Sequence, residues 1–245
     1  MNSRIRLLLP ILVALAAIRL TAAPPPPHDQ FHVAVYIPVG VVEQMKDPAY
    51  LQKSWNEISS QVRVDKVYIE TYRSGLVADD GLIDTVKKFF VDHGIEVAGG
   101  IAYVGGGDNA GRVGNFKSTQ KVEPGQFISL CYTDPEQRDF VKQIAQLTAR
   151  HFDEIILDDF FFYNTKTDSD IAAKGTESWT DFRLKTMDTV SRDLVVGAAK
   201  AVNPRVKVII KFPNWYEHFQ ASGYDLDQEP KIFDGIYTGT ETRDP

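Results

Sequence analysis

Six short runs of β-branched and aromatic residues start near residues 32, 66, 95, 154, 206 and 233, and helix-period patterns separate them. The runs are apolar almost end to end, as expected for strands buried on both faces. Together these observations predict an α/β protein built from βαβ units around a parallel sheet. Six such units make up most of a (βα)8 barrel, so a TIM-barrel type fold truncated after strand six is expected. The 245 residues suit one large domain of this kind, at 43% hydrophobic and 24% charged. That balance excludes collagen-like, low-complexity and wholly disordered chains. The formal charge is -6, with acidic and basic residues interleaved and no Lys/Arg stripe. Nucleic acid is therefore not an expected partner.

The N-terminus is read apart from the fold. Arg4 and Arg6 precede the apolar run Leu7 to Ile18, and Thr21-Ala22-Ala23 supplies small residues. This is the pattern of a secretory signal peptide over 1–23. The run falls short of the roughly 20 apolar residues that a membrane span needs. Pro24 to Pro27 open a spacer over 24–30, and the folded domain is expected over 31–245. A secreted or periplasmic location follows as an expectation, with no stable membrane span once the leader is removed. Cys131 is the single cysteine, which excludes an internal disulfide. Lacking a recognisable His or Asn arrangement, it is read as a small buried residue rather than a nucleophile.

Each element has a local reason. His32 to Pro38 is the first strand. Asp47-Pro48 opens a helix carrying Leu51, Trp55, Ile58 and Val62 at spacings of three and four. Lys66 to Tyr72 is the second strand. Asp79-Asp80-Gly81 starts a helix that ends at Gly94, and Ile95 to Ala102 forms the third strand. A Gly-rich connection from Gly105 to about Gln126 is long enough to suggest a functional loop. Thr133-Asp134-Pro135-Glu136 combines an Asp cap, Pro at the first helical position and an acid in the first turn, for a helix running to His151. Glu154 to Phe161 is the fourth strand. A long helix from Ser178 to Val202 stops at Asn203-Pro204, and strands follow at Val206 to Phe212 and Phe233 to Thr240.

Barrel chemistry sits at the C-terminal ends of strands. The polar residues there are Tyr36, Glu70, Tyr72, Asp158, Asp159, Lys211, Asn214 and Glu241. Alternation puts Tyr68, Glu70 and Tyr72 on one side of strand two, taken as the barrel side, and Asp158 and Asp159 on opposite sides of strand four. Paired carboxylates around a cleft suit glycosidic-bond hydrolysis, where one protonates the leaving oxygen and the other attacks or activates water. Tyr72, Phe162, Tyr163, Trp215 and Tyr216 are candidates for stacking on sugar faces. No His-x-His, His-Glu-x-x-His or Gly-x-Ser-x-Gly occurs, and no dinucleotide-binding or phosphate-loop signature. Zinc, serine-esterase and nucleotide chemistry are disfavoured, and neither a metal nor a cofactor is expected.

The segment Tyr132-Thr133-Asp134-Pro135-Glu136-Gln137-Arg138-Asp139-Phe140-Val141, followed by Phe152-Asp153-Glu154-Ile155-Ile156-Leu157-Asp158-Asp159-Phe160-Phe161-Phe162-Tyr163, resembles the bacterial glycosyl hydrolase-like family ten proteins and related barrel glycosidases. In them a P-E-V-R-D-F/Y helix precedes a strand ending D-G-I-H-F-D-D-Y-F-Y-P. The resemblance is best over about 130–216; the family Gly is Glu154 here and the His is Ile156. The double aspartate is kept. The resemblance implies a glycoside hydrolase acting on a poly- or oligosaccharide, with Asp158 the inward group and nucleophile or stabiliser. Asp159 supports it, Glu241 is the acid/base, and Tyr36, Glu70, Tyr72, Lys211, Asn214 and Trp215 shape the sugar site. The alternative is a catalytically silent carbohydrate-binding barrel.

Overall fold

The structure, a computed structural model, describes residues 31–105, 127–214 and 218–239, and the backbone of 107–108, 112–113 and 116–117. The six expected strands are present: β1 (Ala34–Ile37), β2 (Lys66–Arg73), β4 (Glu96–Ala102), β8 (Glu154–Leu157), β9 (Lys207–Phe212) and β10 (Gly235–Thr238). They pair in that order, every neighbour parallel. Sequential order with helical crossovers is the arrangement of a (βα)8 barrel wall, here a sheet curled into a half-barrel. A short strand β3 (Leu76–Val77) folds back antiparallel on β2, and β5 (Gly107–Asp108), β6 (Arg112–Val113) and β7 (Phe116–Lys117) form a small antiparallel sheet. The Gly-rich connection therefore carries structure of its own.

The helices start where the sequence places their caps. Asp47, Asp79 and Asp134 each accept a backbone N–H at the heads of α2 (Pro48–Gln61), α3 (Asp80–Asp92) and α4 (Pro135–His151). Three short helices were not legible: α1 (Val39–Gln44), α5 (Asp168–Lys174) and α8 (Glu229–Ile232). The long helix after α5 is continuous but not uniform. It runs as α6 (Trp179–Thr189), a wide π turn (Val190–Val196) and α7 (Gly197–Val202). A Cβ at Gly197 would lie 2.8 Å from the Arg192 carbonyl oxygen, so the return to α-geometry needs glycine there.

The curl depends on small residues in β4. Ala98 and Gly100 stand beside Tyr68 and Glu70 of β2 and share their face. With so little bulk on β4, side chains of β2 and β8 meet across it. Lys66 Nζ lies 2.6 Å from Glu154 Oε1, and the Tyr68 hydroxyl donates to the same oxygen at 2.9 Å. The opposite face of β4 is equally tight. A Cβ at Gly99 would lie 2.4 Å from Thr148 Cγ2 and 2.8 Å from the Phe152 ring, so α4 beds directly on the strand. Val67, Ile69, Ile101, Ile155, Leu157, Val208 and Ile210 form the buried layer between sheet and helices. Among the described residues, no helix is long and apolar enough to cross a membrane.

Candidate active site

The inner face of β1 and β2 supplies the first half of the site. Tyr36 lies across β4 over Gly100, where a Cβ would come within 2.7–2.9 Å of its ring and hydroxyl. Its hydroxyl donates to Glu70 Oε1 at 2.7 Å. Burial, reinforced by the charge of Glu70, raises its pKa well above the usual tyrosine value, so it stays a donor. Glu70 is fully buried. Its second oxygen accepts the Val39 backbone N–H, at the start of α1, at 2.6 Å.

The register of β2 against β4 slips between Glu70 and Tyr72. This bulge reverses the alternation expected from the sequence. Glu70 keeps the inner face, and Arg73, three residues on, joins it. Tyr72 turns the other way, edge-on to Phe140 of α4 at 5.2 Å between centroids, with its hydroxyl donating to the Val104 carbonyl. The expectation that Tyr72 lines the sugar site is thus corrected: it is a fully buried core residue, and burial pushes its hydroxyl up to about 12.

Arg73 joins the two halves. Its Nε and NH2 donate to Glu70 at 2.7–3.1 Å, and NH2 also donates to Asp158 Oδ2 at 2.6 Å. Its carbon Cζ sits 5.2 Å from the centroid of the Phe160 ring. Asp158, one residue past β8, continues the ladder through its N–H to the Ile101 carbonyl. Lys211 of β9 lies 3.6 Å from Asp158 Oδ1 and 2.7 Å from Asp159 Oδ1. The Asp159 carbonyl is in turn held by the Tyr224 hydroxyl at 2.6 Å. Lys211 also faces the half-exposed Tyr237 ring, its β10 register partner, at 5.7 Å.

Tyr36, Glu70, Asp158, Asp159 and Lys211 thus converge at the C-terminal end of the strands. Asn214 follows β9, partly buried. Glu241 and Trp215, with Tyr216, lie outside the described residues. Phe162 and Tyr163 are buried, and Tyr163 donates to Asp170 of α5 at 2.5 Å, so they belong to the core rather than to a platform. Glu70 is likewise closed to a sugar, because its oxygens are filled by Tyr36, Val39 and Arg73. Sequence reasoning missed Arg73 and Tyr237. The signal for Arg73 was a cation three residues after a buried carboxylate at a strand end, but strict period-two counting sends it outward. Among the described residues, no group of three or more His, Cys, Asp or Glu is set to hold a metal ion.

A half-barrel with acidic and basic side chains gathered at the C-terminal strand ends defines an α/β barrel-type protein with the layout of a barrel enzyme site. By fold it is similar to the β-galactosidase of the psychrophilic Marinomonas ef1, with a TM-score of 0.59 and 11% identity over 86% of this chain and 41% of that one. Residues 21–245 match the family described as probable glycosyl hydrolase, catalytic domain, and the chain belongs to that family. It is 30% identical over 236 residues to an uncharacterized protein, SSO3021, of the archaeon Saccharolobus solfataricus, a match covering 88% of this chain and 38% of the relative. The chain thus spans less than half the length of that relative, and less than half of the β-galactosidase chain it resembles in fold.

Proposed function

We propose that this chain is the catalytic barrel of an exported glycoside hydrolase acting on a poly- or oligosaccharide, with Asp158 as the carboxylate that meets the anomeric carbon. One observation carries the reading. Asp158 stands at the end of a central strand on the inner face, bonded to Arg73 from one side and approached by Lys211 from the other. In a chain of this family, that supports a carboxylate held for chemistry at the strand ends. As nucleophile, an Asp158 oxygen bonds to the anomeric carbon while the glycosidic C–O bond breaks. Its electron pair goes to the leaving oxygen, which takes a proton from an acid. Water then displaces the aspartyl ester, returning its proton to that acid's conjugate base. Glu241 is our candidate for the acid. A carboxyl separation of roughly 5–5.5 Å would give retention and roughly 6.5–9.5 Å inversion. Asp159 fixes Lys211, and Tyr36, Lys211, Asn214 and Trp215 contact the sugar. The narrower assignment to the family ten-like hydrolases rests on the double-aspartate segment. Export rests on the leader-like residues 1–23.

A second reading, a carbohydrate-binding barrel without catalysis, has one observation in its favour. Each described carboxylate at this end, Glu70, Asp158 and Asp159, is tied to a cation. Incubating the purified full chain with a panel of polysaccharides and aryl glycosides separates the two. Release of new reducing ends supports hydrolysis. Binding in affinity electrophoresis without release favours the silent barrel, and neither result refutes both.

A further inference from the structure

Arg73 is held by three groups, Glu70, Asp158 and the Phe160 ring. Glu70 grips it from behind with both oxygens at 2.7–3.1 Å, and the Phe160 ring covers its guanidinium at 5.2 Å. In front, the NH2 that bonds Glu70 Oε1 also bonds Asp158 Oδ2. Glu70 itself cannot swing away. Its side chain is 0% exposed, and it accepts from Tyr36 of β1 and from the Val39 N–H as well. Desolvation alone would discourage a charge on Arg73, but the Glu70 hydrogen bonds and charge outweigh it and raise its pKa further. The bulge in β2 is what brings the pair to one face.

We propose that Arg73 is a positioning residue for Asp158 and that Glu70 is its anchor. The proposal rests on the reading that Asp158 is the reacting carboxylate. Arg73 fixes which way the Asp158 carboxylate faces, leaving Oδ1 toward Lys211. The anchor has a second consequence. When an Asp158 oxygen becomes an ester, Asp158 loses its negative charge and Arg73 loses one counter-ion. Glu70 remains as the other, so the guanidinium is neither stranded nor moved during the cycle, and it is in place when water regenerates the carboxylate. A single lysine ammonium lacks the planar fork that serves Glu70 and Asp158 together.

The test uses the full chain. Arg73→Ala is expected to lower kcat by about 10²-fold, the scale of a misplaced reacting group, with KM within about twofold. Added guanidinium is expected to restore part of that rate, and Arg73→Lys to fall between wild type and Arg73→Ala. A role in folding alone would give no guanidinium rescue. Should Arg73→Ala fail to fold, the Arg73→Lys kcat decides. A crystal structure of Arg73→Lys or Arg73→Met gives a readout free of activity: the Asp158 carboxylate is expected to rotate toward Lys211. Unchanged kcat in a folded variant, or an Asp158 that keeps its orientation, overturns the proposal. If the wild type cleaves no glycoside, the reading of Asp158 as the reacting group fails by itself, and the crystallographic result still decides whether Arg73 positions it.

Discussion

The two ends of the concave face use the same chemistry to different ends. At the N-terminal end, Lys66 bridges β2 to Glu154 of β8 and also reaches Glu96, whose side chain is 66% exposed. At the C-terminal end, Arg73 bridges β2 to Asp158, with Glu70 and Asp159 almost wholly out of solvent. Both bridges cross the small residues of β4. The lower one ends on Glu154, which also takes the Tyr68 hydroxyl, and on Glu96, and runs no further along the face. The upper one runs on through Lys211 to Asp159 and ends beside an exposed tyrosine. A cluster that closes on itself staples strands, whereas the upper chain of alternating charges crosses β2, β8 and β9 at the end where barrel folds carry their sites. Barrel proteins divide their two ends in this way, with stability at the N-terminal face and catalysis at the other.

Breaking each bridge separates the roles. The largest expected effect is Asp158→Asn, which should cut hydrolysis by about 10³-fold or more and leave the far-UV circular dichroism unchanged. Lys66→Met should do the opposite. It leaves Glu154 with the Tyr68 hydroxyl but no cation and is expected to cost about 1–3 kcal/mol, read as a lower midpoint in thermal unfolding, with kcat kept. Equal loss of activity in the two variants would erase the contrast.

A sharper probe acts on the floor between the bridges. Gly100→Ala pushes a methyl into the Tyr36 ring and hydroxyl. Overpacking of this kind costs about 1–3 kcal/mol. Because Tyr36 holds Glu70, we expect a loss of activity alongside the calorimetric shift, a combination that Lys66→Met should not show.

The smallest effect lies away from both bridges. Glu229 is buried at the start of α8, bonded by Ser191 Oγ and the Asp225 N–H at 3.1 Å each. Burial, with Asp188 and Asp225 nearby, pushes its pKa up from 4.5 to about 8. Between those values the folded chain holds a proton that the unfolded chain has lost. The Glu229 contribution to stability is therefore full below the lower value, falls as pH rises toward the upper one and levels off beyond it. Glu229→Gln should flatten this part of the pH dependence, gaining on the wild type in thermal melts as pH rises. Parallel curves for the two proteins would rule out the proton on Glu229.

Most of the wall is legible in the sequence, because apolar runs and Asp caps are local signals. Asp47-Pro48 and Asp134-Pro135 name their helix starts, and the six strands fall where their apolar residues cluster. What escaped depends on contacts between distant segments. The bulge after Glu70 is set by pairing with β4, and it turns Tyr72 into the core and Arg73 into the site. The short α1 and α5 carry too few residues for a periodic pattern. Asp158 was legible as inward only through the resemblance of its segment, since alternation alone left both aspartates open. Tyr163 could not be read as a core residue from sequence, since its partner Asp170 lies on a helix with no apolar stripe.

The central claim is that the upper bridge is the working one. Initial rates of glycoside cleavage by wild type, Asp158→Asn and Lys66→Met, measured side by side on one cleavable substrate, test it most directly. The account predicts a rate lost in Asp158→Asn and retained in Lys66→Met. An Asp158→Asn protein that cleaves as fast as wild type would contradict it.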